Sequence, residues 1–299
     1  MKALQGISCD QFVNVINQAL KKIAVEAYYH GNICREDADK AAQMISEALT
    51  SHHLGLPKKK MPTNLVIKAK AAVDHHLVTS PTVNPKDANT AVEVYFQIGK
   101  DELTNRVLTD LLEHILDEPF YNELRTKEQF GYEVSCGAKW TFGVLGMSFK
   151  VVTACKTAEE ASDRIDRFLS EFRKELESMS DESFMEHLVA LAKVKLEMFE
   201  SMEDECGSYW DEICEKRFDF ESHRTEVQCL RSITKEKLLS AYDDWLHPVC
   251  HKGKPKKRRR IVFHVIGEGA MGRPEVKDPN DVGAQIDGLV TTFHDSVKS

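Results

Sequence analysis

The stretch PFYNELRTKEQFGYEVSCG, Pro119 to Gly137, sets an arginine and a tyrosine, Arg125 and Tyr132, around a junction of helix and strand. Arg125 carries a planar fork of donors and Tyr132 a phenol, so together they could hold a peptide carboxylate or carbonyl. A plainer alternative is surface chemistry, with Arg125 paired to Glu128 and Tyr132 packed on the sheet. Three other places have reactive residue types. His247, Cys250 and His251 in HPVCH are metal-ligand types at close spacing, but Pro248 breaks the helix and no fourth ligand is near, which favours a solvated loop. The pairs His52-His53 and His75-His76 point neighbouring side chains apart on any regular backbone and read as surface histidines. Lys252 to Arg260, KGKPKKRRR, has seven positive side chains among nine residues, enough to attract phosphates or act as an import signal. A surface loop there needs only to be soluble, and that is the favoured reading.

Composition narrows the field. A chain of 299 residues with 42% hydrophobic and 29% charged residues has the balance of a water-soluble globular protein with ample core. With 40 Lys and Arg against 48 Asp and Glu its formal charge is −8, which argues against a general polyanion binder. The eight cysteines are scattered without a CxxC, as reduced cytoplasmic thiols are. MKALQGISCDQF lacks the apolar core of a secretory signal, and no run is long enough to span a bilayer. The expectation is a cytoplasmic protein without membrane partners.

The elements that must position Arg125 and Tyr132 are readable from periodicity. Phe12, Val15, Ile16 and Leu20 recur at helical spacing, the β-prone Ile23 to Tyr29 follows, and Ala38, Ala41, Met44, Ile45 and Leu49 form a second stripe. These residues are too few to cover a sheet, so a chain that began further upstream is expected, with Met1 a truncation or gene-model start. The proline- and lysine-rich His52 to Asn64 reads as a linker, which divides the chain into 1–56, a remnant of a preceding domain, and 64–299. Beyond it, Leu65 to Lys70 and His76 to Thr79 read as short strands, and Val92, Val94, Phe96 and Ile98 alternate as a half-buried one. Leu103, Val107, Leu111 and Ile115 mark a helix expected to stop at Pro119, which then fits the first position of a short helical segment. Gly131 is the expected turn into a strand that runs to Ala138 and pairs with Val144 to Thr153. Thr157 with Glu160 makes a capping box for a helix carrying Ile165, Phe168, Leu169, Phe172 and Leu176. Further stripes are Phe184, Leu188 and Leu191; Tyr209, Trp210 and Ile213; and Leu238, Leu239 and Trp245. Ile261 to Ile266 closes the sheet. The expected fold class is α+β, helices packed on one face of a largely antiparallel sheet.

LRTKEQFGY resembles the Leu-Arg-Thr-Lys-Glu-Gln-Leu-Gly-Tyr signature of the C-terminal half of the insulysin and nardilysin group, long-chain inverzincin metallopeptidases of the pitrilysin family. The resemblance extends to HGN at His30 to Asn32, Asp87 to Gly99, Gly143 to Lys150, YWDEI at Tyr209 to Ile213, Phe218 to Val227 and Ile261 to Gly267, roughly residues 20 to 268. It implies a pitrilysin-type domain. Catalysis in that family needs H-x-x-E-H on a helix, two imidazoles for zinc and a glutamate for its water. None of the twelve histidines here begins it; His114 and His187 lack the second histidine.

The resemblance therefore implies the noncatalytic half of a zinc metalloendopeptidase, enclosing the chamber and binding peptide. Arg125 and Tyr132 are its substrate contacts by the family's motif, and no catalytic or metal-binding residue is expected in this chain. Zinc is expected on the missing N-terminal half, of the same chain or of a homologous subunit. The rivals are a stand-alone peptide- or protein-interaction module without catalysis and, more weakly, a nucleic-acid binder working through Lys252 to Arg260.

Overall fold

A computed structural model describes residues 6–20, 23, 25–50, 65–71, 76–84, 86–248 and 258–267. The chain divides into two compact units, Met1–Leu65 with Phe199–Asp211, and Val66–Met198 with Glu212–Ser299. The expected linker, the His52-His53 pair, His75, Cys250, His251 and Lys252 to Lys257 lie outside the described residues.

In the first unit, α1 (Cys9–Ala19) starts at a capping box, where Ser8 and Gln11 satisfy each other's backbone N–H. It buries none of its residues, so Phe12, Val13, Val15 and Ile16 are exposed. The helix α2 (Arg35–Thr50) follows. The β-prone Ile23 to Tyr29 forms no strand among its described residues. Its Tyr28 goes instead to an aromatic cluster, stacking on His30 and Trp210, and Tyr209 meets both Tyr28 and His30 edge-on. His30 Nε2 lies 3.2 Å from the Glu205 carboxylate. The HGN and YWDEI segments, distant in sequence, are thus neighbours.

The second unit is built on a five-stranded sheet, β1 (His76–Pro81), β2 (Thr90–Lys100), β3 (Glu133–Thr141), β4 (Val144–Thr153) and β5 (Arg260–Ile266), in the order β1-β5-β2-β4-β3. β1 and β5 are parallel and every other neighbouring pair is antiparallel. Val92, Val94, Phe96, Leu145, Met147, Phe149, Val151 and Val262 form the covered face, and each is almost wholly buried. Upon it pack α3 (Leu103–Tyr121), α4 (Ala158–Ser178) and α8 (Lys235–Trp245), while α5 (Asp181–Lys195) and α7 (Ser222–Leu230) pack against α3 and each other. The α+β expectation holds. Phe142 and Gly143, both at positive φ, join β3 to β4 in the tight turn a hairpin's twist favours.

Three expected elements differ. Leu65 to Lys70 is not a strand: the Gln97 side chain accepts from the Ala69 N–H and donates to the Ile67 carbonyl, holding the segment without a ladder. The helix α6 (Met202–Cys214) buries only Glu212, so Tyr209, Trp210 and Ile213 are not a core stripe. Arg258 and Arg260 are buried rather than solvated, and both bind Asp166, with Arg258 also donating to the Leu246 carbonyl at 2.8 Å. Those two guanidiniums are therefore withdrawn from any phosphate-binding surface.

Candidate functional site

The segment that carries Arg125 and Tyr132 starts with a helix that does not stop at its proline. α3 continues through Pro119 to Tyr121 and passes directly into a π-helical stretch, Asn122–Lys127. Phe120 and Leu124 explain the continuation, since both are fully buried. Phe120 meets Phe149 and Phe168 edge-on at 5.3 and 5.1 Å. Burying each such side chain is worth about 1.5–3 kcal/mol, comparable to the roughly 3 kcal/mol cost of a proline within a helix. Wide turns of this kind occur frequently at functional sites.

Beyond the π-helical stretch the chain folds back on itself. The Glu128 N–H donates to the Glu123 carbonyl at 3.0 Å and the Phe130 N–H to the Leu124 carbonyl at 2.8 Å. Gln129, not Gly131, takes the left-handed conformation, at φ 50°. Gly131 is needed for a different reason, because a Cβ there would lie 2.4 Å from the Val152 carbonyl oxygen. That close approach lets the Tyr132 N–H reach the same oxygen at 3.0 Å and start β3.

Arg125 and Tyr132 flank this closure. Arg125 is half-buried and Tyr132 is 58% exposed, and neither side chain has a hydrogen-bond or ion-pair partner among the described residues. The expected alternative of an Arg125–Glu128 pair is overturned. Glu128 belongs to Arg164 of α4, whose Nε and Nη2 reach its two oxygens at 2.8 and 2.6 Å. These bonds hold the Glu128 carboxyl below the usual carboxylate range. Sequence reasoning missed Arg164. Its local signal is one guanidinium in the apolar stripe between Ala161, Ile165 and Phe168.

The histidines answer differently. His114 and His187, dismissed singly, come together with ring centroids 5.6 Å apart at a cleft of about 600 Å³ between α3, α4 and α5. Burial, then the neighbouring His114, pushes the His187 pKa down. The cleft takes in Glu123 and Lys127 but neither Arg125 nor Tyr132. Among the described residues no group of three or more His, Cys, Asp or Glu stands where it could hold a metal ion. The donors among these described residues do not fit a zinc centre.

Residues 111–210, from within α3 through the π-helical stretch, the β3–β4 hairpin, α4 and α5 into α6, match the family model described as PQQ synthase PqqF-like, C-terminal lobe domain 4. Human insulin-degrading enzyme is 30% identical over 276 residues, 92% of this chain and 26% of that protein. The resemblance is to the pitrilysin family. An Arabidopsis thaliana nardilysin-like protein is 30% identical over 269 residues, 88% of this chain and 25% of its own length. The crystal structure of pitrilysin superposes with a TM-score of 0.68 at 20% identity, covering 95% of this chain and 30% of that one, so the fold is shared with pitrilysin. The chain spans about a quarter of the length of the curated relatives it matches.

Proposed function

We propose that this chain is the C-terminal, noncatalytic half of an insulysin- or nardilysin-like zinc metalloendopeptidase, helping to enclose the chamber and bind peptide. The supporting observation is a guanidinium and a phenol, Arg125 and Tyr132, without side-chain partners among the described residues and mounted on a core-anchored connection, where the described residues also hold no group of three or more metal ligands. Arg125 would donate to a substrate carbonyl or carboxylate and Tyr132 would hold the adjacent backbone. Both donors would strengthen their bonds as charge develops on the carbonyl oxygen. Zinc would be supplied by the N-terminal half, of the same polypeptide or a homologous subunit, in the cytoplasm. On this reading residues 1–56 belong to the end of a preceding domain and 64–299 form the domain that carries the site.

The test is to assay peptide cleavage by the purified chain with added zinc, alone and assembled with a zinc-bearing half. Cleavage only in the assembly is expected. Stoichiometric tight zinc and chelator-sensitive cleavage by the homogeneous chain alone would overturn the reading. The rival interaction module is favoured by one observation, the exposed Phe12, Val13, Val15 and Ile16 of α1. It predicts docking to a peptidase with no change in activity on Arg125→Ala.

A further inference from the structure

We propose that Arg164 is the positioning residue for Arg125 and Tyr132, locking the connection between the π-helical stretch and β3 into one conformation; this rests on the reading of those two residues as substrate contacts. Arg164 departs from α4 amid Ala161, Ile165 and Phe168, and its side chain is only 7% exposed. A guanidinium is placed there only with its donors satisfied. Its partners among the described residues lie on the outer side. Glu128 takes three contacts at 2.6–2.9 Å, Glu171 one at 3.5 Å, and Glu123 stands at 3.7 Å. Those carboxylates are 32%, 59% and 34% exposed, so the arginine reaches from the core to grip an exposed turn.

The helix does not need this contact for itself. α4 already buries Ile165, Phe168, Leu169, Phe172 and Leu176 and is capped by Thr157 and Glu160. The turn does need it. Gln129 holds a left-handed conformation without being glycine, and the exposed residues Thr126 to Gln129 bury no side chain that would fix them. Glu123 and Glu128 bracket Arg125, so a guanidinium that bonds Glu128 and lies within ion-pair range of Glu123 restrains the backbone on either side of it. Only a planar fork does this, since an ammonium cannot bind both Glu128 oxygens in one plane.

The test uses the enzyme assembled from this chain and a zinc-bearing half, with Arg164→Met, Arg164→Lys and Arg125→Ala alone, and Arg164→Met combined with Arg125→Ala. Amide hydrogen exchange is followed on the same proteins. Arg164→Met is expected to speed exchange at the Phe130 and Tyr132 amides while the β2–β4 ladder keeps its protection. It should lower kcat by up to about 100-fold with little change in KM, the scale of a misplaced catalytic group, and Arg164→Lys should fall between. In the Arg125→Ala background the further loss should be under about threefold, because both changes remove the same interaction. If Arg164→Met does not fold, Glu128→Gln, which changes only the exposed partner, takes its place with the same expectations. A kcat close to wild type for the Arg164 variants, beside a crippled Arg125→Ala, overturns the positioning role and leaves the substrate-contact reading standing. Fully additive losses also overturn it. An unaffected Arg125→Ala rejects the reading on which the role rests.

Discussion

Two charged regions of the second unit use their side chains in opposite ways. Under α3, α5 and α7 lies a buried network in which Arg106 binds Asp101 and Glu226, Lys195 binds Asp110 and Glu226, and Arg217 binds Glu212 and Asp101. Every cation in it is matched. At the π-helical stretch Arg164 is matched in the same way, but Arg125, a few residues along, is not. On the proposed reading, an arginine's partners separate scaffold from site better than its charge or its burial does. Internally paired cations hold the fold, while one without a partner among the described residues would be left for a ligand.

The comparison breaks most sharply at Lys195. Replacing it with methionine leaves Asp110 buried without its cation and Glu226 with Arg106 alone, which should cost about 3–5 kcal/mol of stability. Chemical denaturation of the isolated chain measures this, and a loss below 1 kcal/mol would make the network dispensable. Arg125→Ala and Tyr132→Phe should do the reverse. Stability should stay within about 0.5 kcal/mol, as for most surface changes, while turnover of the assembled enzyme falls about 100- to 1000-fold, or 2.7 to 4 kcal/mol. Near wild-type kinetics for both would make the connection scaffold only.

Gly131→Ala sharpens the contrast on the backbone side. The new methyl group meets the Val152 carbonyl oxygen, so a loss of about 1–3 kcal/mol is expected, the usual range for overpacking. A thermal melt unchanged from wild type would show that β3 can shift. The smallest effect is acidic. The folded-state pKa of Glu128 lies below the ordinary value, chiefly through its hydrogen bonds to Arg164. Its contribution is therefore complete above the unfolded pKa of about 4.3 and is lost as pH falls through the lower folded value. Protection of the Phe130 and Tyr132 amides, relative to their intrinsic exchange rates at each pH, should fall reversibly in that acid window, and Glu128→Gln should abolish this pH dependence of protection.

What was legible in the sequence was whatever is encoded locally. The alternation of Val92, Val94 and Phe96 gave β2 its buried face, the Thr157–Glu160 box began α4, and the stripe from Ile165 to Leu176 proved to be core. The failures are tertiary. Pro119 signals a stop, but the burial of Phe120 and Leu124 carries the helix past it. Gly131 signals a turn, but its glycine answers to a carbonyl on β4, which no local pattern reveals. Tyr209 and Trp210 repeat at helical spacing yet meet Tyr28, far away in sequence, rather than the main core. Arg125 and Tyr132 were singled out through the motif, whereas the contact beside them between Arg164 and Glu128 was invisible because those two residues belong to different elements.

The π-helical stretch makes Asn122–Lys127 sensitive to length rather than to letters. A π turn spends more residues per revolution than the 3.6 of an α turn, so it changes the azimuth of everything downstream relative to the buried Leu124. Removing one residue would let the stretch wind as ordinary helix and swing each later side chain by about 100°. Leu124 and Phe130 could not then both stay inside. Substitution at an exposed position such as Thr126 leaves that phase untouched. The connection should therefore tolerate many sequences but only one length.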